Sequence, residues 1–219
     1  MSDQSLSEQN QLHARAVDFF INEGVLTFGD FTLKSGRKSP YFFNTGSLCS
    51  GRQLAKMGEL YAGLLNLIPD FGGATVLFGS AYKGIPIAVA MAAALEGSPR
   101  EEMRAVSDRK EAKTHGDASS FLGVLRSGDT AVILDDVITT GGTKLEAIAK
   151  LREAGCEPLG FIIAFDRAEA VDASGRTARE VFEEETGLKV YALASIHDVM
   201  NVRSEWREVL EAYLESCTA

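Results

Sequence analysis

Residues 130–146, Thr-Ala-Val-Ile-Leu-Asp-Asp-Val-Ile-Thr-Thr-Gly-Gly-Thr-Lys-Leu-Glu, gather the residue types best suited to chemistry. Two adjacent acids, Asp135 and Asp136, stand shortly before a turn of Thr139, Thr140, Gly141, Gly142 and Thr143. Such a turn suits an oxyanion. Its glycines let the backbone bend tightly with N–H groups pointing inward, its hydroxyls donate to phosphate oxygens, and a helix beginning behind it adds partial positive charge. A second loop, Gly79-Ser80-Ala81-Tyr82-Lys83-Gly84-Ile85-Pro86, places Lys83 at the mouth of another helix. It is not a Walker A motif, because the Gly-x4-Gly-Lys-Ser/Thr spacing is absent. Between Arg109 and His115 there are three basic residues and a histidine, Arg109, Lys110, Lys113 and His115, in an otherwise acidic chain. A local cluster of that sign is an attractor for a polyanion.

These groups need a scaffold, and the apolar pattern supplies one. Ala131–Leu134 reads as a strand buried on both faces, and Leu145, Ile148 and Leu151 recur at helical spacing behind the turn. Thr75–Phe78 and Arg104–Asp108 read as strands, with a small apolar helix between them reaching about Leu95. Leu159–Phe165 is another buried strand, ending at Asp166-Arg167. Arg167 therefore falls at the carboxyl edge of the sheet, where open α/β folds bind ligands. Residues 51–66 and 174–186 read as amphipathic helices, Lys189–Leu193 as a strand and 203–217 as a closing helix. Ahead of the repeating units, residues 1–8 read as a loosely held leader and 9–22 as a helix stopped by Gly24. Residues 25–44 then break into short apolar pieces around Gly-Asp and Ser-Gly turns, a small lobe beside the main sheet. The polar stretch 108–120 lacks apolar periodicity and is long for a connection, which suits a lid.

The 130–146 stretch resembles the phosphoribosyl-pyrophosphate (PRPP) motif of type I phosphoribosyltransferases. The resemblance implies that Asp135 and Asp136 lie by the ribose hydroxyls and that the turn holds the 5′-phosphate, with Val137, Ile138, Thr139, Thr140, Gly141, Gly142 and Thr143 along the PRPP site. It also implies that the 79–86 loop binds pyrophosphate through Lys83, with Tyr82 beside it. Three further stretches are similar to the orotate phosphoribosyltransferase branch. One is Lys34 to Asn44, in which Lys34 reaches pyrophosphate and base while Phe42 and Phe43 line a pyrimidine pocket. The second is Arg-Lys-Glu-Ala-Lys-x-His-Gly from Arg109, similar to a mobile catalytic loop. The third is Arg167, placed against a base carboxylate with Thr139 nearby. A planar base gains from aromatic contact, and a carboxylate suits a bidentate guanidinium. Two glycines in the turn depart from relatives that carry Ala and Thr there, so which N–H groups cradle the phosphate stays open.

The fold so implied is α/β, a type I phosphoribosyltransferase fold. A central, mostly parallel sheet is flanked by helices and carries an N-terminal hood over about 9–45, all in one domain of 219 residues. The implied reaction moves ribose 5-phosphate from PRPP to orotate. Mg²⁺ is the expected cofactor, bridging pyrophosphate and ribose hydroxyls largely with water in its other sites, near Asp135 and Asp136; no side-chain ligand is assigned. Lys34, Lys83, Arg109, Lys110, Lys113 and His115 would stabilise the leaving pyrophosphate, and lid closure would exclude water. The acids would favour the cationic sugar, and either Lys113 or His115 could be a general acid. The resemblance further implies a homodimer in which the basic loop reaches the neighbouring site.

Composition sets outer bounds. Hydrophobic content of 45% and charged content of 24% fit an ordinary globular protein. A formal net charge of −9 disfavours general nucleic-acid binding. Cys49, Cys156 and Cys217 show no pairing or metal-ligand spacing, which suits reduced thiols. The polar start lacks the apolar run of a signal peptide, and no stretch approaches a membrane span, so a cytoplasmic location is expected. Other readings are a purine or uracil phosphoribosyltransferase, which should lack the hood and basic lid, and a PRPP-binding regulator without catalysis. A kinase or nucleotide module is disfavoured by the missing Walker A motif.

Overall fold

The structure, a computed structural model, describes residues 3–33, 36–109, 121–138 and 142–217, without the side chains of 3, 4 and 143. Its elements in chain order are α1 (Asp3–Asn22), β1 (Leu26–Thr32), β2 (Lys38–Phe43), α2 (Gly51–Leu67), β3 (Val76–Gly79), α3 (Gly84–Ala94) and β4 (Arg104–Asp108). They continue with β5 (Phe121–Leu122), β6 (Thr130–Val137), α4 (Gly142–Glu153), β7 (Glu157–Asp166), α5 (Ala178–Thr186), β8 (Lys189–Ser195), α6 (Ile196–Val202) and α7 (Arg207–Cys217).

Six strands form the main sheet in the order β5-β4-β3-β6-β7-β8, parallel throughout except for the short edge strand β5. The central strands are apolar on both faces because helices cover both. Leu77, Val132, Leu134, Ile162 and Ala164 belong to one apolar layer, together with residues of α1, α2, α3, α6 and α7. Val76, Phe78, Ala131, Ile133, Phe161 and Ile163 point the other way, to a layer completed by Ala147, Ile148 and Leu151 of α4 and Phe182 of α5.

The antiparallel pair β1–β2 forms the hood, with Leu26 opposite Phe43 and Thr32 opposite Lys38. Aromatic contacts fasten it down. Phe43 stacks on Phe165 at the end of β7 (4.7 Å between ring centroids), and Phe28 stacks on Trp206 ahead of α7 (4.3 Å).

Several boundaries differ from the sequence reading. The stretch read as a leader is helical from Asp3. The helix expected over 174–186 starts only at Ala178: Asp172 accepts the N–H groups of Ser174 and Arg176 in a turn, and Thr177 and Glu180 then form a capping box. The closing helix expected over 203–217 starts only at Arg207, after a short 3₁₀ turn at Ser204–Trp206, and a separate helix, α6, precedes it. Ser195 and Asp198 cap α6, and the chain breaks at Arg203 before α7. Strand β6 does not stop at Leu134 but carries both acids and ends at Val137. On α4, Leu145 is 43% exposed while Lys144 is buried. The buried stripe is therefore 144, 147, 148 and 151, an i, i+3, i+4, i+7 pattern that begins on a lysine.

Candidate active site

Strands β3 and β6 are neighbours, yet the chain leaves β3 towards β4 on one side and leaves β6 towards β7 on the other. That divergence opens a crevice at their carboxyl ends, the usual ligand position in an open α/β sheet. The loop after β3 and the acids of β6 meet there. Gly84 lies so close to β6 that a Cβ on it would sit 2.3 Å from the Leu134 carbonyl oxygen, and one on Gly79 would sit 2.3 Å from the Gly84 carbonyl oxygen. Only glycine permits this approach. Within this loop the Ala81–Tyr82 peptide is cis, and Asp108 at the end of β4 accepts the Ala81 N–H at 2.9 Å. The other Asp108 oxygen accepts from Lys150 of α4 at 2.9 Å.

Both acids of the pair face a lysine. Lys83 Nζ donates to Asp136 Oδ2 at 2.5 Å, with the lysine side chain 47% exposed. Lys144 Nζ lies 2.9 Å from Asp135 Oδ2, and that lysine side chain is only 7% exposed. From the opposite layer the fully buried Tyr61 of α2 donates its hydroxyl to the Asp135 carbonyl at 2.8 Å. Burial pushes the Asp135 carboxyl above its ordinary value; Lys144 works against that, and the neighbouring Asp136 adds to it. Burial and the same two acids push the Tyr61 phenol well up, so it stays a neutral donor.

The hood presents its two phenylalanines differently, since adjacent residues of a strand face opposite ways. Phe43 is buried in the core, edge-on to Phe20 at 5.1 Å and stacked on Phe165. Phe42 is 42% exposed and lies against Phe31 at 5.6 Å. Phe42 is thus the ring of the pair that faces outward. Arg167, just beyond β7, is largely buried and engaged. Its Nε and Nη2 donate to Glu169 Oε1 at 2.9 and 2.5 Å, and its guanidinium lies 4.8 Å from the Tyr41 ring centroid.

The other expected site residues divide in two. Arg109 Nε donates to the Phe121 carbonyl at 3.3 Å, linking the end of β4 to β5. Tyr82 is 67% exposed, Ile138 is buried behind the end of β6 at Val137, and Gly142 opens α4. Lys34, Lys110, Lys113, His115, Thr139, Thr140 and Gly141, and the side chain of Thr143, lie outside the described residues. Among the described residues, no group of three or more His, Cys, Asp or Glu side chains is arranged to hold a metal ion. Lys144, Asp108, Tyr61 and Glu169 belong to the site region but were not picked out from sequence. Only Lys144 carries a local signal, its i+3, i+4 and i+7 relation to Ala147, Ile148 and Leu151.

A family model described as a phosphoribosyl transferase domain matches residues 51–195, so the fold and the crevice define a protein of that class. The orotate phosphoribosyltransferase of Methylococcus capsulatus is 43% identical over 187 residues, covering 84% of this chain and 85% of that one. That of Stenotrophomonas maltophilia is 41% identical over 208 residues, 91% of this chain and 93% of its own. The crystal structure of the Francisella tularensis orotate phosphoribosyltransferase superposes with a TM-score of 0.80 at 30% identity, covering 91% of this chain and 97% of that one. The chain belongs to the orotate phosphoribosyltransferase family.

Proposed function

We propose that this chain transfers ribose 5-phosphate from PRPP to N1 of orotate, giving orotidine 5′-monophosphate and pyrophosphate, a step of pyrimidine nucleotide synthesis. The observation that carries the reading is the meeting of Lys83 and Asp136 across the β3/β6 crevice, in a chain more than two-fifths identical to relatives that bear this activity's name.

The residues suit the chemistry. Cleaving the bond from sugar C1 to pyrophosphate leaves positive charge on the ribose and more negative charge on the leaving group. Asp135 and Asp136 lie where ribose hydroxyls and a cationic sugar gain from them. The Lys83 side chain is exposed enough to turn from Asp136 to an incoming diphosphate. Lys34, Arg109, Lys110, Lys113 and His115 take the leaving pyrophosphate, and Thr139–Thr143 the 5′-phosphate, on the strength of the family resemblance. Phe42 offers a face to the base and Arg167 a guanidinium to its carboxylate. Mg²⁺ fits this donor set as an ion arriving with the diphosphate: each acid already holds a lysine, leaving its remaining lone pairs for the metal's water shell. When bound, it supplies charge neutralisation on the pyrophosphate. No nucleophilic side chain is needed.

The same reading makes the protein a cytoplasmic homodimer of single-domain subunits, with the 109–115 loop serving the partner's site. No helix among the described residues is long and apolar enough to cross a membrane, in keeping with that location. Two measurements test the reading. Pyrophosphate release should require PRPP, Mg²⁺ and orotate together. Mixing inactive Lys113→Ala and Asp136→Asn subunits should restore about a quarter of wild-type activity, since half the dimers are then hybrids with one intact site. Mixtures that stay inactive would exclude the shared site.

A further inference from the structure

Glu169 stands two residues beyond Arg167, and its side chain is only 12% exposed. Its Oε1 accepts from Arg167 Nε and Nη2 at 2.9 and 2.5 Å, from the Tyr41 hydroxyl at 2.9 Å and from the Tyr213 hydroxyl at 2.8 Å. Its Oε2 faces Arg37 Nη1 at 3.4 Å. The donors come from separate parts of the fold: Tyr41 from hood strand β2, Tyr213 from α7, Arg167 from the segment after β7. Tyr41 also packs edge-on to Tyr213 at 5.8 Å and carries the Arg167 guanidinium over its ring.

A guanidinium has two bidentate edges, one using Nε and one using the two terminal nitrogens. Glu169 occupies the Nε edge. The terminal edge is left to meet a second carboxylate, and the Tyr41 ring backs the guanidinium, 4.8 Å from its centroid. We infer that Glu169 is the positioning residue of the base subsite, aligning Arg167 so that its terminal edge selects a base bearing a carboxylate. An acid beside the place where another acid must bind is otherwise a cost, since like charges repel. Here two phenols and two guanidinium groups surround the Glu169 charge. The inference rests on the proposed orotate activity and adds a residue that selects the base without touching it.

The experiment compares wild type with Glu169→Gln, which keeps the shape and removes the charge, and with the milder Tyr213→Phe. KM for orotate, KM for PRPP and inhibition by uracil, the same ring without the carboxylate, are measured for each. Loss of a charge-assisted contact at Arg167 should raise the orotate KM of Glu169→Gln about tenfold or more, and that of Tyr213→Phe about two- to threefold. The PRPP KM and the uracil inhibition constant should stay within about twofold, because neither involves the carboxylate contact. An unchanged orotate KM in Glu169→Gln overturns the inference. So does a parallel rise in all three constants, which would mean that Glu169 only supports the fold. A wild-type protein that turns over PRPP with another base, or with none, would instead bring down the orotate reading itself.

Discussion

The Lys144 ammonium lies 2.9 Å from the Asp135 carboxylate, and both side chains are buried. Helix α4 thereby sends a charge from a core-facing position to the end of β6, while Lys150 on the same helix reaches Asp108. Two acids at the carboxyl edge of the sheet are thus held from one helix, and a third, Asp136, is held by Lys83 across the crevice.

Removing Lys144 should therefore cost stability and shift activity. Lys144→Met leaves a buried carboxylate without its counter-ion, a loss of about 3–5 kcal/mol before relaxation. Adding Asp135→Asn should recover much of the stability but not the activity. The Asp135 carboxyl is already pushed up by burial, with Lys144 opposing the rise. Without the lysine it rises further, so the ionised form is lost at a higher pH. The acid limb of kcat/KM for PRPP should move upward in Lys144→Met, as a pH profile would reveal; an unmoved limb would mean Asp135 is not required ionised.

Helices α2 and α3 touch at Gly58, where a Cβ would fall 2.2 Å from the Ala90 carbonyl oxygen. Backbone cannot yield there as a flexible side chain could. Gly58→Ala should destabilise by about 2–3 kcal/mol in denaturant unfolding. Gly51→Ala, whose Cβ meets nothing within 4 Å at the start of α2, should be neutral or slightly stabilising.

Asp129 ties the amino ends of the central strands, accepting from Arg104 Nη2 at 2.5 Å, the Arg126 N–H at 2.6 Å and the Thr75 hydroxyl at 3.1 Å. Burial alone would raise its carboxyl, but these hydrogen bonds outweigh it and hold the group below the ordinary value. A carboxylate depressed in the folded state stabilises the protein above its unfolded pKa, and that stability is lost as pH falls through the folded pKa. Asp129→Asn should remove part of the acid sensitivity below about pH 4, measured as a flatter plot of unfolding free energy against pH. An identical acid profile for variant and wild type would contradict the assignment.

Two of the three thiols should separate by reactivity. Cys49 is exposed, whereas Cys156 is buried and its thiol is pushed up to about 11, mainly by burial. A thiol reagent at neutral pH should modify Cys49 in the native protein and reach Cys156 only on unfolding. Mass spectrometry of the labelled peptides reads this directly.

Much of the scaffold was legible because the apolar runs of β3, β6 and β7 are continuous and follow closely on Gly73, Gly128 and Gly155, whereas β4, Arg-Ala-Val-Ser-Asp, carries no such run. The break before Gly36 separates the two hood strands as expected, whereas the turn expected at Gly29-Asp30 is an irregularity inside β1. Lys144 was missed because a pattern search assigns lysine to solvent and the adjacent Leu145 to the core, whereas the fold does the reverse. Glu169 was missed for a different reason. The hydroxyls that converge on it come from Tyr41 and Tyr213, 128 and 44 positions away, a meeting no local spacing encodes. The start of α6 was written in the Ser195-x-x-Asp198 capping box, a local signal that the sequence reading did not use.

The most direct test of the account is an absorbance assay of the purified protein with PRPP and Mg²⁺ and, in parallel, orotate, uracil, adenine or hypoxanthine. The expected result is loss of orotate absorbance alone, ending when either PRPP or Mg²⁺ is left out. Turnover of a different base would contradict the assignment of Arg167 and the hood, and binding of PRPP with turnover of no base would contradict the enzyme itself.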